Sequence, residues 1–310
     1  MENFTYSPSL HVPFRDMKVL EYARNIKRED IDKHPNPDFN IMVRKANEIE
    51  FIFITDIFYR IKQAADEGRK VVLIFPNPAP AYRQVAHLIN KFRVNCEHVH
   101  IFAMDEYADE YGNVAPESWK WGFTYAMNHN FYYQIDEDLR PPKKQIVGMT
   151  TKNIGHYGKM IADMGNADAC YSGPGWTGHL AFIEPDAPEF EGTLEEWKQM
   201  GPRIVTLSPF TLAQNSLHGS FGMSGDIARV PPKAATIGPA EVIASKYRMD
   251  SNSLGIHGTL TSWQRLMTRL VAHGPVTPKL PTSIHQLLKT DFYISEDSAR
   301  NIEDDWDKGY

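Results

Sequence analysis

Between residues 42 and 66 the apolar positions Val43, Ala46, Ile49, Ile52, Phe53 and Ile57 recur at spacings of three and four, the period of one helical face. Gly68 and the basic pair Arg69-Lys70 close that pattern, as a helix carboxyl end favours. Val71-Val72-Leu73-Ile74-Phe75 is an unbroken apolar run between breakers, the pattern of a strand buried on both faces. The proline-rich turn Pro76-Asn77-Pro78-Ala79-Pro80 then leads into a helix over 81–92, and residues 98–103 read as the next strand. A helix is expected from Pro116 or Glu117 through Trp119, Phe123, Met127 and Phe131, and another over 154–164. Further strands are expected at 167–171, 203–207, 234–238 and 291–295, with helices over 239–245 and 260–272 and a short lead-in at 284–288.

Strands alternating with helices predict an α/β protein with an open, mostly parallel twisted sheet and helices on both faces, Rossmann-like in plan. Residues 1–40 are polar and carry Pro8, Pro13, Pro35 and Pro37, so they are expected to form an arm or surface extension, able to reach a neighbouring subunit. Residues 41–310 are then a single domain.

Composition narrows the function classes. A chain of 310 residues, 42% of them hydrophobic, has ample material for a large core. A formal charge of −6 without a basic run argues against a nucleic-acid or membrane surface. Cys96 and Cys170 both sit beside strand-like apolar segments, which predicts buried free thiols rather than a disulfide. No Cys/His spacing suggests zinc, no run approaches a membrane span, and no leader pattern is visible, so a cytoplasmic protein without metal or organic cofactor is expected.

The candidate chemistry centres on Tyr171-Ser172-Gly173-Pro174-Gly175-Trp176-Thr177-Gly178-His179, continuing to Glu184-Pro185. Three glycines and a proline break regular structure at a strand's carboxyl end, where open α/β sheets bind ligands. An imidazole and a carboxylate delivered by one turn can share and relay a proton. The alternative is an ordinary turn with a surface His and a surface Glu.

The same stretch resembles the signature of the glucosamine-6-phosphate deaminase (isomerase) family, Gly-x-Gly-x-Asp-Gly-His-x-Ala-Phe-Asn-Glu-Pro. Ile101-Phe102-Ala103-Met104-Asp105-Glu106-Tyr107, followed by Pro116-Glu117-Ser118-Trp119, is similar to a second family segment, Phe-x-Met-Asp-Glu-Tyr…Pro-Glu-Ser-Tyr. The likeness covers roughly residues 70 to 300. It implies that Asp105 moves a proton between C2 and C1 of an open-chain amino sugar, and that His179, supported by Glu184, helps open the ring. Adjacent strand residues face opposite ways, so one of Asp105 and Glu106 is expected to face the cleft, and the resemblance selects Asp105. It further implies substrate contacts from Glu106, Gly175, Trp176 and Gly178, a small sugar or sugar phosphate as ligand, and a homo-oligomer.

Two departures stand out. The family's aspartate two residues before the histidine is Thr177 here, so the relay is expected to be weakened or rewired, with Glu184 its remaining carboxylate. The family's phosphate loop, Pro-Thr-Gly-x-Thr-Pro, is replaced by Pro76-Asn77-Pro78-Ala79-Pro80-Ala81-Tyr82-Arg83, in which three prolines remove N–H donors and no Gly, Ser or Thr remains. Arg203 keeps one basic position, but the lysine expected two residues on is Val205, and the arginine expected after Asn215-Ser216 is Leu217. Arg83 and Arg203 are the cations left to meet an anionic substrate. Loss of the usual 6-phosphate site is the favoured expectation. A non-catalytic sugar-binding or regulatory protein of the same fold is the second reading, and a hydrolase resembling 6-phosphogluconolactonase is the third.

Overall fold

The computed structural model describes residues 4–76, 79–253 and 262–307. Seven strands form one wholly parallel sheet: β1 (Phe39–Arg44), β2 (Val71–Phe75), β3 (Val99–Ala103), β5 (Ile146–Val147), β6 (Ala169–Ser172), β9 (Arg248–Asn252) and β10 (Thr290–Ser295). The remaining three, β4 (Asp105–Ala108), β7 (Arg203–Thr206) and β8 (Lys233–Thr236), form a small antiparallel sheet. The helices are α1 (Met17–Asn25), α2 (Ala46–Asp66), α3 (Tyr82–Phe92), α4 (Phe123–Asn130), α5 (Tyr157–Asp163), α6 (Leu194–Trp197), α7 (Pro209–Asn215), α8 (Pro239–Ala244), α9 (Gln264–His273) and α10 (Glu296–Ala299).

The large sheet runs in the order β1-β10-β9-β6-β2-β3-β5. From β2 the chain moves outward through β3 to β5; it then returns to the other side of β2 as β6 and moves outward the opposite way. The carboxyl ends of β2 and β6 therefore flank the switch point, where the diverging connections leave a crevice for ligands. Pro76 follows β2 and the glycine-rich turn leaves β6, so both strand ends open on this point.

Strand periodicity divides the core into two layers. Val72, Ile74, Phe102 and Cys170 pack into one, while Val71, Leu73, Phe75, Ile101 and Tyr171 pack into the other. Both cysteines are buried free thiols, and burial pushes both pKa values up to about 12. Among the described residues no helix is long and apolar enough to cross a membrane.

Several sequence expectations need correction. The helix expected from residue 42 begins at Ala46; Met42 and Val43 belong instead to edge strand β1, paired with Tyr293 and Ile294. The expected arm over 1–40 includes α1, and Ala23 and Ile31 are wholly buried. The helix expected from Pro116 starts at Phe123. The expected 260–272 helix is α9, whose first expected residues, 260 and 261, lie outside the described residues. Elements without a counterpart in the sequence reading include β4, β5, β9, α6, α7 and α10.

Candidate functional site

Asp105 opens β4 directly after β3, and its side chain is 6% exposed. Its Oδ1 is buried without a hydrogen-bond partner, and burial, with the neighbouring charge of Glu106, raises the carboxyl pKa well above its ordinary value. A buried carboxyl with an unpartnered oxygen and a disfavoured charge is a candidate for proton exchange.

Glu106 points the other way. Its Oε1 accepts the backbone N–H groups of Tyr107 (2.9 Å) and Phe123 (3.0 Å), and its Oε2 accepts that of Thr124 (2.6 Å). The carboxylate thus satisfies the amino end of α4, whose orphan amides attract negative charge. Gly122 makes room for it, since a Cβ there would stand 3.1 Å from Glu106 Oε1. Fully buried and occupied by three amides, Glu106 is a fold residue, which corrects its expected place among the substrate contacts. The same capping explains why α4 begins at Phe123 and not at Pro116.

The turn after β6 carries His179, only 4% exposed, and Glu184, 2% exposed, so the surface-turn alternative does not hold. His179 Nδ1 lies 3.0 Å from Thr177 Oγ1, 3.0 Å from Thr211 Oγ1 and 3.7 Å from Glu184 Oε2. Thr177 donates its hydroxyl to Glu184 Oε2 at 3.3 Å, and Glu184 Oε1 accepts the Ser208 backbone N–H at 3.1 Å. Burial lowers the His179 pKa, opposed by the Glu184 charge, which keeps the imidazole neutral near pH 7. The ring fits because residue 175 is glycine: a Cβ there would stand 1.9 Å from His179 Nε2. Gly178 has φ +79°, a left-handed backbone that favours glycine.

Thr236 connects this turn to Asp105. It stands opposite Asp105 in the β4–β8 ladder, and its hydroxyl accepts the Phe182 backbone N–H at 3.1 Å. Phe182 in turn stacks on Phe123, the first residue of α4. Asp105 and His179 are thereby held on one continuous framework.

The other expected contacts are less available. Trp176 is 42% exposed and stacks on Trp263 with ring centroids 5.5 Å apart. Arg83 donates to Asn130 Oδ1 at 2.9 Å. Arg203 donates to the Gly201 carbonyl at 3.0 Å and to the Glu189 carbonyl, with its guanidinium over the Phe190 ring. Asn77 and Pro78 of the altered loop lie outside the described residues.

Thr211, Ser208 and His218 are site residues that sequence reading missed. Ser208 caps α7 ahead of Pro209, and that Ser-Pro start was the available signal. His218 lies beyond α7; burial, with His179 nearby, lowers its pKa to about 4. A separate Ser/His/Asp group lies beneath the turn. Ser172 donates to Asp250 Oδ2 at 2.7 Å, and His285 Nε2 is 3.2 Å from Ser172 Oγ and 3.4 Å from Asp250 Oδ2. In a hydrolytic triad serine and carboxylate occupy opposite ring nitrogens. Here they share one, so the group is a buried structural network. Among the described residues no cluster of three or more His, Cys, Asp or Glu is placed to hold a metal ion.

No family model matches the chain. It is similar to a glucosamine-6-phosphate deaminase of Caenorhabditis elegans, 28% identical over 213 residues, covering 66% of this chain and 72% of that protein. A deaminase of the same name from Aeromonas salmonicida is 27% identical over 273 residues, covering 81% and 92%. Among solved structures, a monomeric glucosamine-6-phosphate deaminase superposes with TM-score 0.68 at 19% identity, covering 84% of this chain and 99% of its own. A 6-phosphogluconolactonase from Thermotoga maritima gives 0.55 at 12%, covering 82% and 98%. The fold is the one these sugar-phosphate deaminases and lactonases share. Within that class, the chain is similar in sequence to glucosamine-6-phosphate deaminases, at 27–28% identity over 66–81% of its length.

Proposed function

We propose that this protein is a deaminating aldose–ketose isomerase of an amino sugar that is not held through a 6-phosphate in the family's manner. His179, supported by Thr177 and Glu184, delivers and removes the protons of ring opening. Asp105 takes the C2 proton of the open-chain sugar and returns it to C1; water then adds at C2 and ammonia leaves, giving the ketose. The observation that carries this reading is the buried, unpartnered Oδ1 of the Asp105 carboxyl on the framework that also holds the neutral His179. Gly175 and Gly178 shape the turn, and Trp176 offers a flat apolar face at its rim.

The substrate class follows from the cations. Arg83 and Arg203 both have partners within the chain, and residues 76–81 contain no Gly, Ser, Thr, Lys or Arg. That composition supports a neutral C6 hydroxyl over a phosphate.

Ammonia release from glucosamine, compared with glucosamine-6-phosphate, tests the reading, with Asp105→Asn as control. The expected result is turnover of the unphosphorylated sugar, abolished in the variant. Preferred turnover of the phosphorylated sugar would overturn the substrate assignment, and absence of turnover on both would favour a binding protein.

A further inference from the structure

The departure at Thr177 leaves a question of how His179 is oriented without the family's aspartate. Two hydroxyls converge on Nδ1, one from the signature turn and one from α7, each at 3.0 Å. A threonine hydroxyl has one hydrogen. That of Thr177 is directed to Glu184 Oε2, an acceptor, so the lone pairs of Thr177 face Nδ1 and the hydrogen between them belongs to the ring. Thr211 Oγ1 is a second acceptor for the same N–H, in a forked bond. Nε2 is then left without a hydrogen, on the ring edge beside Gly175.

The first turn of α7 grips both ends of this relay. Its cap, Ser208, donates its backbone N–H to Glu184, while Thr211, three residues on, meets the imidazole. Thr211 is itself fixed. It is wholly buried, its backbone N–H donates to Ser208 Oγ at 3.2 Å, and its carbonyl accepts Asn215 Nδ2 at 2.8 Å.

We propose that Thr211 is a positioning residue which, with Thr177, replaces the family's aspartate by a clamp of two hydroxyls, holding His179 as the Nδ1–H tautomer with Nε2 free as the base. A hydroxyl pair orients the ring without adding a second carboxylate's charge, so Glu184 alone opposes the effect of burial. The catalytic meaning of the clamp rests on the isomerase reading above; the tautomer itself does not.

The test is a long-range 1H–15N correlation spectrum of the full chain labelled with 15N, with the His179 signals assigned by their loss in His179→Gln. The wild type is expected to show hydrogen on Nδ1. Thr211→Val, close in shape but lacking the hydroxyl, should move His179 toward a mixture of tautomers, and Thr211→Ser should restore the single form. Where the amino sugar turns over, Thr211→Val should lower kcat at least tenfold with KM within about twofold, again rescued by serine. Hydrogen on Nε2 in the wild type would overturn the proposal even if Thr211→Val failed to fold. A Thr211→Val spectrum identical to wild type would overturn the role of Thr211.

Discussion

The Tyr107 hydroxyl donates to Asn215 Oδ1 at 2.7 Å, joining the strand that begins with Asp105 to the last turn of the helix that holds His179. Both residues are buried, so water cannot replace the bond. Tyr107→Phe keeps the ring packed against Phe123 and Phe182 but strands the Asn215 oxygen. The expected cost is about 1–3 kcal/mol, read as a lower urea midpoint at unchanged m-value. An unchanged midpoint would mean that α7 and β4 are not coupled through this bond.

Asp105 makes the folded state sensitive to alkali. Its folded pKa is raised above the unfolded value, so between the two the folded state binds more protons and stability falls as pH rises. Asp105→Asn removes that charge without breaking any bond to Oδ1. The variant should lose activity, yet gain on the wild type in unfolding free energy as pH rises above the ordinary carboxylate range. A variant less stable than wild type at pH 8 would show that Asp105 is structural.

Gly175 is tied to the imidazole by contact. Gly175→Ala places a Cβ where Nε2 now lies, so the ring or the turn must move. Overpacking of this kind costs about 1–3 kcal/mol, and the His179 ring resonances should shift in the same spectrum that reads its tautomer. By contrast, a Cβ at Gly219 meets nothing within 4 Å, so Gly219→Ala serves as the mild control. Equal effects at the two positions would remove the packing argument.

The apolar runs at residues 71–75 and 98–103, the flanking helices and the two buried thiols could be read directly from the chain, because a strand covered on both faces needs continuous hydrophobicity. Asp105, His179 and Glu184 could be named from the chain only through the family resemblance; their burial could not, because the spacing alone fits an ordinary surface turn equally well. Central strand β9 was not legible. Arg248, Asp250 and Asn252 are buried within it, bonded to the Lys289 carbonyl, to Ser172 and to Thr268, partners distant in the sequence. Glu106 and Asp105 are adjacent acids in the sequence; only the arrival of α4's amides separates a fold residue from a candidate base. Thr211 likewise has no motif of its own, and its relation to His179 exists only because α7 folds back across the turn. Hydrophobic periodicity is written along the chain, whereas the pairing of buried polar groups is decided by neighbours distant in sequence, and the tertiary structure alone supplies them.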